Sequence, residues 1–454
     1  MSDIDYILYP EWIVPVVPRD AVLTDHCVVV SESRIVNICP SSEGRELEAT
    51  RHIELPQHVL LPGLINCHGH AAMSLLRGYA DDQPLMTWLG EIWPAETAFV
   101  SEDYVRDGTD LALAELLLGG TTTFSDMYFY PDVTAERADF VGLRAQLVFP
   151  VIDVQTAWAR DPEEYLAKGL ALRDTYRNHE RIEIGFGPHS NYTVSEETLQ
   201  RVATLANELD APVQIHLHET RGEVQMSVEN LGERPIEQLN RLGMLGPRSQ
   251  CVHMTALSEG DFDILETTGA HVIHCPRSNM KLASGICPTQ RLLDRDINVA
   301  LGTDGAASNN RINMIAEIQA AALIAKLENS ESTAISAATA LEMATINGAK
   351  ALGLENDIGS LEIGKQADMI ALRLDDPALQ PVNNVLSHVV YATSGAELTH
   401  SWVAGKPLVV DRQLTTLSMA TVTSRANTWR DQLSAFRAQR NSEDSAHYQE
   451  NNPQ

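Results

Sequence analysis

Between residues 61 and 305, eight short apolar runs alternate with helical stretches, and this constrains the fold more than any other feature of the chain. The runs are "LPGLINCHGH", "TTTFSDMY", "RAQLVFPVID", "RIEIGFGPHS", "APVQIHLHE", "SQCVHMTA", "HVIHCPRSN" and "INVALGTDG". Helical patterns such as "VRDGTDLALAELLLGG" and "SEETLQRVATLANELD" separate most of them. Strands separated by helices build βα units around a parallel sheet. Eight units predict an α/β fold, a (β/α)8 TIM-like barrel. Nearly every run ends in an ionisable group: His68/His70, Asp126, Asp153, His189, His216/Glu219, His253 and Asp304. A single polar strand end is only a turn. Seven such ends, mostly His or Asp, match a site at the carboxyl ends of barrel strands.

The flanks have another texture. "HCVVVSESRIVNICP" and "RHIELPQHVLLPG" near the start, and "IGSLEIGKQADMIALRL" and "LTHSWVAGKPLVVDRQL" near the end, are β-branched runs broken by turn residues. The expected architecture is a barrel at 61–357 interrupting a small β-sandwich domain built from 1–60 and 358–417, with a helix and a frayed polar tail at 418–454.

The formal net charge is -29. Such a surface repels phosphate backbones and anionic lipid, which argues against nucleic acid and membranes as partners. It also suits solubility in a salty milieu. The six cysteines show no C-x-x-C spacing, a pattern of buried thiols in a reducing compartment rather than of disulfides or a zinc knot. The N-terminus "MSDIDYILYPEWIVPV" is acidic where a signal peptide is basic, and no uncharged run of about 18 apolar residues follows. A soluble cytoplasmic protein is expected.

In a strand, i and i+2 share a face, so His68 and His70 point the same way if the strand persists that far. Histidines ending the first, fifth and sixth runs, with Asp304, offer an open mononuclear metal site with room for a water. Asp304 equally fits a helix N-cap before "NNRINMIAEIQAAALIAK". His218 competes with His216 on spacing alone.

The segments "PGLINCHGHAAMSLLRGYADDQPLMTWL", "IWPAE", "FGPHSNYTVS", "IHLHET", "CPRSNMKLASGICP" and "LGTDGAASNN" resemble the amidohydrolase superfamily. More narrowly, the chain resembles the 5-methylthioadenosine/S-adenosylhomocysteine deaminases, over roughly residues 55–410. The resemblance implies that His68, His70, His216 and Asp304 hold one divalent metal, most often zinc. It implies that Glu219, in H-x-x-E with His216, and His253 work beside the metal, with Asp304 also catalytic. His218 and His274 then become structural neighbours. It further implies that Glu96 binds the ribose hydroxyls, Trp88 faces the 5′ substituent, and His189, Met127 and Ser308 line the nucleoside pocket. Arg160 is the one candidate to pair the carboxylate of S-adenosylhomocysteine. The implied activity is hydrolytic deamination of methylthioadenosine, S-adenosylhomocysteine and adenosine to the inosine analogue and ammonia, by a homo-oligomer. A chlorotriazine or N-ethylammeline hydrolase and a guanine deaminase are alternatives with much the same metal pattern. A non-enzymatic metal-binding scaffold would require a missing ligand, and none is missing.

Overall fold

The computed structural model describes the backbone of residues 4–451 and the side chains of residues 4–442. Its centre is a barrel of eight strands: β1 (Leu64–Asn66), β2 (Thr121–Asp126), β3 (Arg144–Val151), β4 (Ile182–Pro188), β5 (Val213–Leu217), β6 (Ser249–His253), β7 (His271–His274) and β8 (Val299–Leu301). They pair in chain order, each parallel to the next. Parallel strands covered by helices are buried on both faces, which is why the runs read as continuous apolar stretches. β2, β3, β5 and β6 are buried along their whole length.

Main-chain bonds close the ring between the first and last strands. Cys67 N donates to Leu301 O at 2.9 Å, and Asp304 N donates to His68 O at 3.0 Å. The Asn66 amide adds two bonds to Thr303, at 2.8 and 2.9 Å.

Both termini build the expected separate β domain. Its nine strands are hydrogen-bonded into one sheet. The central strand, Ala49–Pro62, runs parallel to Ile4–Ile13 and antiparallel to Met369–Arg373, so it joins the two ends of the chain. Alternation gives this sheet two apolar faces: Tyr6, Leu8 and Trp402 lie in one cluster, Ile7, Tyr9 and Val29 in another. The outer sheet gives way to the barrel at Gly63. A Cβ there would lie 2.0 Å from Thr122 Oγ1, so only glycine fits. Asp368 secures the same junction. Its carboxylate accepts from Arg144 Nε at 3.1 Å and from Ala404 N at 2.7 Å, with both side chains of the ion pair buried.

Three helices matter for the site. α1 (Leu85–Phe99) leads into α2 (Glu102–Leu118), which Ser101 caps by accepting from Tyr104 N at 3.3 Å. α3 (Met419–Asn451) folds back on both. Trp429 Nε1 donates to Asp107 at 3.0 Å, and the Phe436 ring lies 5.3 Å from that of Phe99. The frayed tail expected beyond this helix falls outside the described residues. Among the described residues, no helix is long and apolar enough to cross a membrane.

Removing one member of a buried ion pair leaves an uncompensated charge, at a cost of about 3–5 kcal/mol. Asp368→Asn is therefore expected to lower the urea midpoint of unfolding markedly. An unchanged midpoint would show that Arg144 finds another partner.

Candidate active site

β1 ends at Asn66, so His68, Gly69 and His70 lie just past the strand rather than on it. The ladder continues without a strand there: Gly69 O accepts from Met127 N at 3.0 Å while His68 O takes the Asp304 amide. The two rings still converge, with centroids 4.8 Å apart. Gly302 permits the close approach of β8, since a Cβ there would meet His68 Cβ at 2.8 Å.

His68, His70 and His216 bring their free ring nitrogens within 4.8 Å of one another. The other nitrogen of each is occupied. His68 Nδ1 bonds Gln214 Oε1, His70 Nδ1 bonds the Met127 carbonyl, and His216 Nδ1 bonds the His189 carbonyl, each at 2.7 Å. Carbonyl oxygens only accept, so these contacts place the proton on Nδ1 and leave the Nε2 lone pair free. Asp304 Oδ1 sits 3.2 Å from His70 Nε2 and 3.6 Å from His68 Nε2. Burial, then the neighbouring His68, hold His216 neutral by lowering its pKa well below the ordinary value. His68 Nε2 is buried and has no hydrogen-bond partner. A buried, unpaired nitrogen facing two imidazoles and a carboxylate fits a divalent cation.

Around this centre, burial, and then the negative charge of Asp304, push the Glu219 carboxyl up to about 7. It accepts from Ser284 Oγ at 3.1 Å, and its Oε2 lies 4.0 Å from His253 Nε2. His253 is itself held by Asn279, Nδ1 to Oδ1 at 2.8 Å, on a backbone with φ of 78°. A left-handed histidine is strained by about 1 kcal/mol or more, and such residues cluster at functional sites. Asp304 Oδ2 accepts from Ser278 Oγ at 2.6 Å and Ser308 Oγ at 2.8 Å.

A cavity of about 860 Å³ opens from this centre. Glu96, Trp88, His189, Met127 and Ser308 all line it, together with Glu219 and His253. Glu96 accepts from Tyr128 Oη at 2.6 Å, and burial pushes its carboxyl up to about 7. Burial likewise pulls His189 down to about 4.

Arg160 is not brought to the cavity. Its side chain is 76% exposed and its Nε donates to Glu164 at 2.7 Å. Its local setting explains this placement: Asp161 caps the helix Pro162–Tyr176, and Glu164 in its first turn draws Arg160 into a local pair. Asp153 is also exposed, accepting from Ser195 N, while Asp126 accepts from Ala71 N and supports the turn after His70. His218 is buried away from the cluster, with Nε2 accepting from Ile236 N at 3.2 Å. Reading the sequence assigned no role to Gln214, Tyr128, Ser278, Asn279 and Ser284. Gln214 is two residues before His216, on the same face of β5, which was the available signal.

A closed parallel barrel with three histidines and an aspartate at its carboxyl rim defines the class of metal-dependent barrel hydrolases. The sequence profile of the amidohydrolase family matches residues 59–408, and the chain belongs to that family. It is 53% identical over 438 residues to a 5-methylthioadenosine/S-adenosylhomocysteine deaminase of Teredinibacter turnerae, covering 96% of this chain and 99% of the relative. The enzyme of that name from Saccharophagus degradans is 50% identical, with 96% and 98% covered. Among solved structures, an adenosine deaminase from Xanthomonas campestris with bound zinc superposes with a TM-score of 0.94 at 43% identity, covering 95% of this chain and 99% of that one. Atrazine chlorohydrolase from Arthrobacter aurescens shares the fold, with a TM-score of 0.88 at 22% identity over 94% of this chain and 100% of that one.

Elemental analysis is expected to find one divalent ion per purified chain, and almost none in His216→Ala with its fold retained by circular dichroism. Full metal content in that variant would remove His216 from the ligand set.

Proposed function

We propose that this chain is a hydrolytic deaminase of adenosine-type nucleosides that acts on methylthioadenosine and adenosine, with zinc held by His68, His70, His216 and Asp304. The observation that carries this reading is that one cavity holds, besides Asp304, two glutamate carboxyl groups: Glu219 beside the proposed metal ligands, and Glu96 backed by Tyr128. The deaminase names of relatives at 50–53% identity support it, as does the zinc in the adenosine deaminase from Xanthomonas campestris.

A metal in this site supplies Lewis acidity that brings the pKa of a bound water from 15.7 to about 7. The residues of the chain do the rest. Asp304 accepts the proton of the attacking water. As that oxygen reaches C6 of the adenine ring, electrons move to N1, which must take a proton. Glu219, protonated near neutrality, donates it. His253, oriented by Asn279, steers the water and relays to the departing amino group the proton that Asp304 took, while the proton of the new C6 hydroxyl restores Glu219. Glu96 accepts from the two ribose hydroxyls, and Trp88 covers the 5′ substituent, which in methylthioadenosine is small and apolar. S-adenosylhomocysteine carries a zwitterion in place of that methyl group, and Arg160 is not in the cavity to meet it.

The cytoplasm is the proposed location, supported by six buried cysteines without a disulfide among them. The proposed domain division keeps 1–60 and 358–417 as one β unit around the barrel at 61–357, with 418–454 appended. It is supported by the pairing of Ala49–Pro62 with Met369–Arg373.

A substrate panel followed by ammonia release tests the activity. Methylthioadenosine is expected to turn over at least as well as adenosine, and both far faster than free adenine, guanine or a chlorotriazine. Faster release from a free base would refute the ribose clasp, and turnover of chlorotriazines alone would replace the reading. Glu96→Ala is expected to lower kcat/KM for ribonucleosides about 100-fold or more, since two charge-assisted hydrogen bonds are lost, while sparing diol-free substrates. Glu219→Gln is expected to cost at least about 10²–10⁴-fold on every adenine substrate with metal retained.

A homo-oligomer belongs to the same reading. Sedimentation is expected to give a species larger than the 49.9 kDa chain. A monomer would end that part.

A further inference from the structure

The interior of a (β/α)8 barrel is ordinarily filled by layers of branched apolar side chains. Here three glutamines cross it. Gln214 of β5, Gln250 of β6 and Gln146 of β3 are buried. Their amides form a single file. Gln214 Nε2 donates to Gln250 Oε1 at 2.6 Å, and Gln250 Nε2 donates to Gln146 Oε1 at 2.6 Å. Gln146 Nε2 donates to Glu183 Oε2 at 2.7 Å. Glu183 lies at the amino end of β4 and is paired with Arg248, just before β6; both are about one-third exposed. The other end of the file is His68, whose Nδ1 meets Gln214 Oε1 at 2.7 Å. The connection therefore runs from a metal ligand at the carboxyl rim to a charged pair at the opposite face of the barrel.

The file has a direction. A carboxylate only accepts, so Gln146 must turn its NH₂ to Glu183 and its oxygen to Gln250. Gln250 must then donate, presenting its own oxygen to Gln214. Gln214 must donate in turn, which leaves its oxygen facing His68. Only a proton on His68 Nδ1 satisfies that oxygen, and the lone pair is then on Nε2, where the other ligands gather. Main-chain carbonyls support each step, since the same NH₂ groups also donate to Cys67 O at 2.9 Å, Ala351 O at 2.9 Å and Leu352 O at 3.3 Å. Three buried amides in a barrel core are costly unless every donor and acceptor is used. This file uses them, and it terminates at the site.

We infer that Gln214, Gln250, Gln146 and Glu183 form a one-way relay that fixes the tautomer and orientation of His68, and that Glu183 is a positioning residue for the metal at the far end of the barrel. The inference rests on His68 being a metal ligand and is independent of the substrate.

The experiment measures zinc loss from the loaded, full-length protein to a chromophoric chelator, beside the melting temperature of each metal-free variant. Partners behind a metal-ligating histidine typically contribute about 10–100-fold in metal affinity, and Gln214→Met is expected to lose that much. Gln250→Met, which touches no ligand, is expected to weaken zinc retention about tenfold, between Gln214→Met and Glu183→Gln. Glu183→Gln keeps the shape and removes the charge at a part-exposed site. It is expected to cost about two- to fivefold with an unchanged melting temperature, in keeping with modest strengthening per bond along a chain. Lower melting temperatures with wild-type zinc retention in Gln250→Met and Glu183→Gln would mean that the glutamines merely fill the barrel, and would overturn the relay. Should a glutamine variant fail to fold, Glu183→Gln decides alone. A wild-type protein that holds no zinc would overturn the relay together with the ligand assignment, whereas a failed substrate panel would leave the relay standing.

Discussion

The seam between β1 and β8 is the contact on which the site depends. His68 and Asp304 are 236 residues apart in sequence, yet the Asp304 amide bonds the His68 carbonyl at 3.0 Å. The same peptide contacts that close the barrel therefore set imidazole and carboxylate side by side. Closure and assembly of the proposed ligand set are one event, and a barrel left open at this seam would have neither. Bringing the ends of so long a segment together carries an entropic cost that grows only slowly with length. The pairings of the six intervening strands help to offset it.

The barrel was legible because a parallel strand buried on both faces leaves an apolar run, and because functional groups collect at one end of such strands. His68, His70, His216, His253 and Asp304 stood out for that reason. What the pattern does not report is direction beyond the strand end. Asp153 and His189 both follow a strand, two residues after β3 and one after β4, but Asp153 is exposed in a loop while His189 lines the cavity. Arg160 is drawn elsewhere for a related reason: it precedes the helix Pro162–Tyr176, and the Glu164 carboxylate in the first turn of that helix pairs with it. The groups behind the site were hidden differently. Ser278, Asn279 and Ser284 fall in a segment whose residue types are ordinary in a loop, and only the folded contacts with Asp304, His253 and Glu219 distinguish them.

The C-terminal helix shows how a segment that reads as polar can still act on the site. Trp429, Leu433 and Phe436 are three of its apolar positions, and they pack against residues of α1 and α2. α1 carries Trp88 and Glu96 into the cavity. A wall of the cavity is therefore backed by the last helix of the chain, at a distance in sequence that no local pattern reports. The spacing of those three residues, at i, i+4 and i+7, is the helical signature that marks a buried face.

Glu96 and Glu219 share one cavity and are both raised to about 7 by burial, yet their neighbours divide them. At Glu96 the Tyr128 hydroxyl donates, which favours the carboxylate and opposes burial. At Glu219 the nearby charge of Asp304 adds to burial and favours the proton. The first environment suits a group that must accept hydrogen bonds, the second a group that must give one up. A raised carboxyl pKa means the acid form persists to higher pH, so a proton on Glu219 is lost as pH rises through about 7. In the proposed reaction that loss removes the acid, while a fall in pH through the same region protonates Glu96 and weakens it as an acceptor. Both carboxyl groups are raised to about 7, so it is their neighbours that suit them to the two proposed tasks: at Glu96 a tyrosine that donates, at Glu219 an aspartate whose charge favours the proton against the Ser284 hydroxyl that favours the carboxylate.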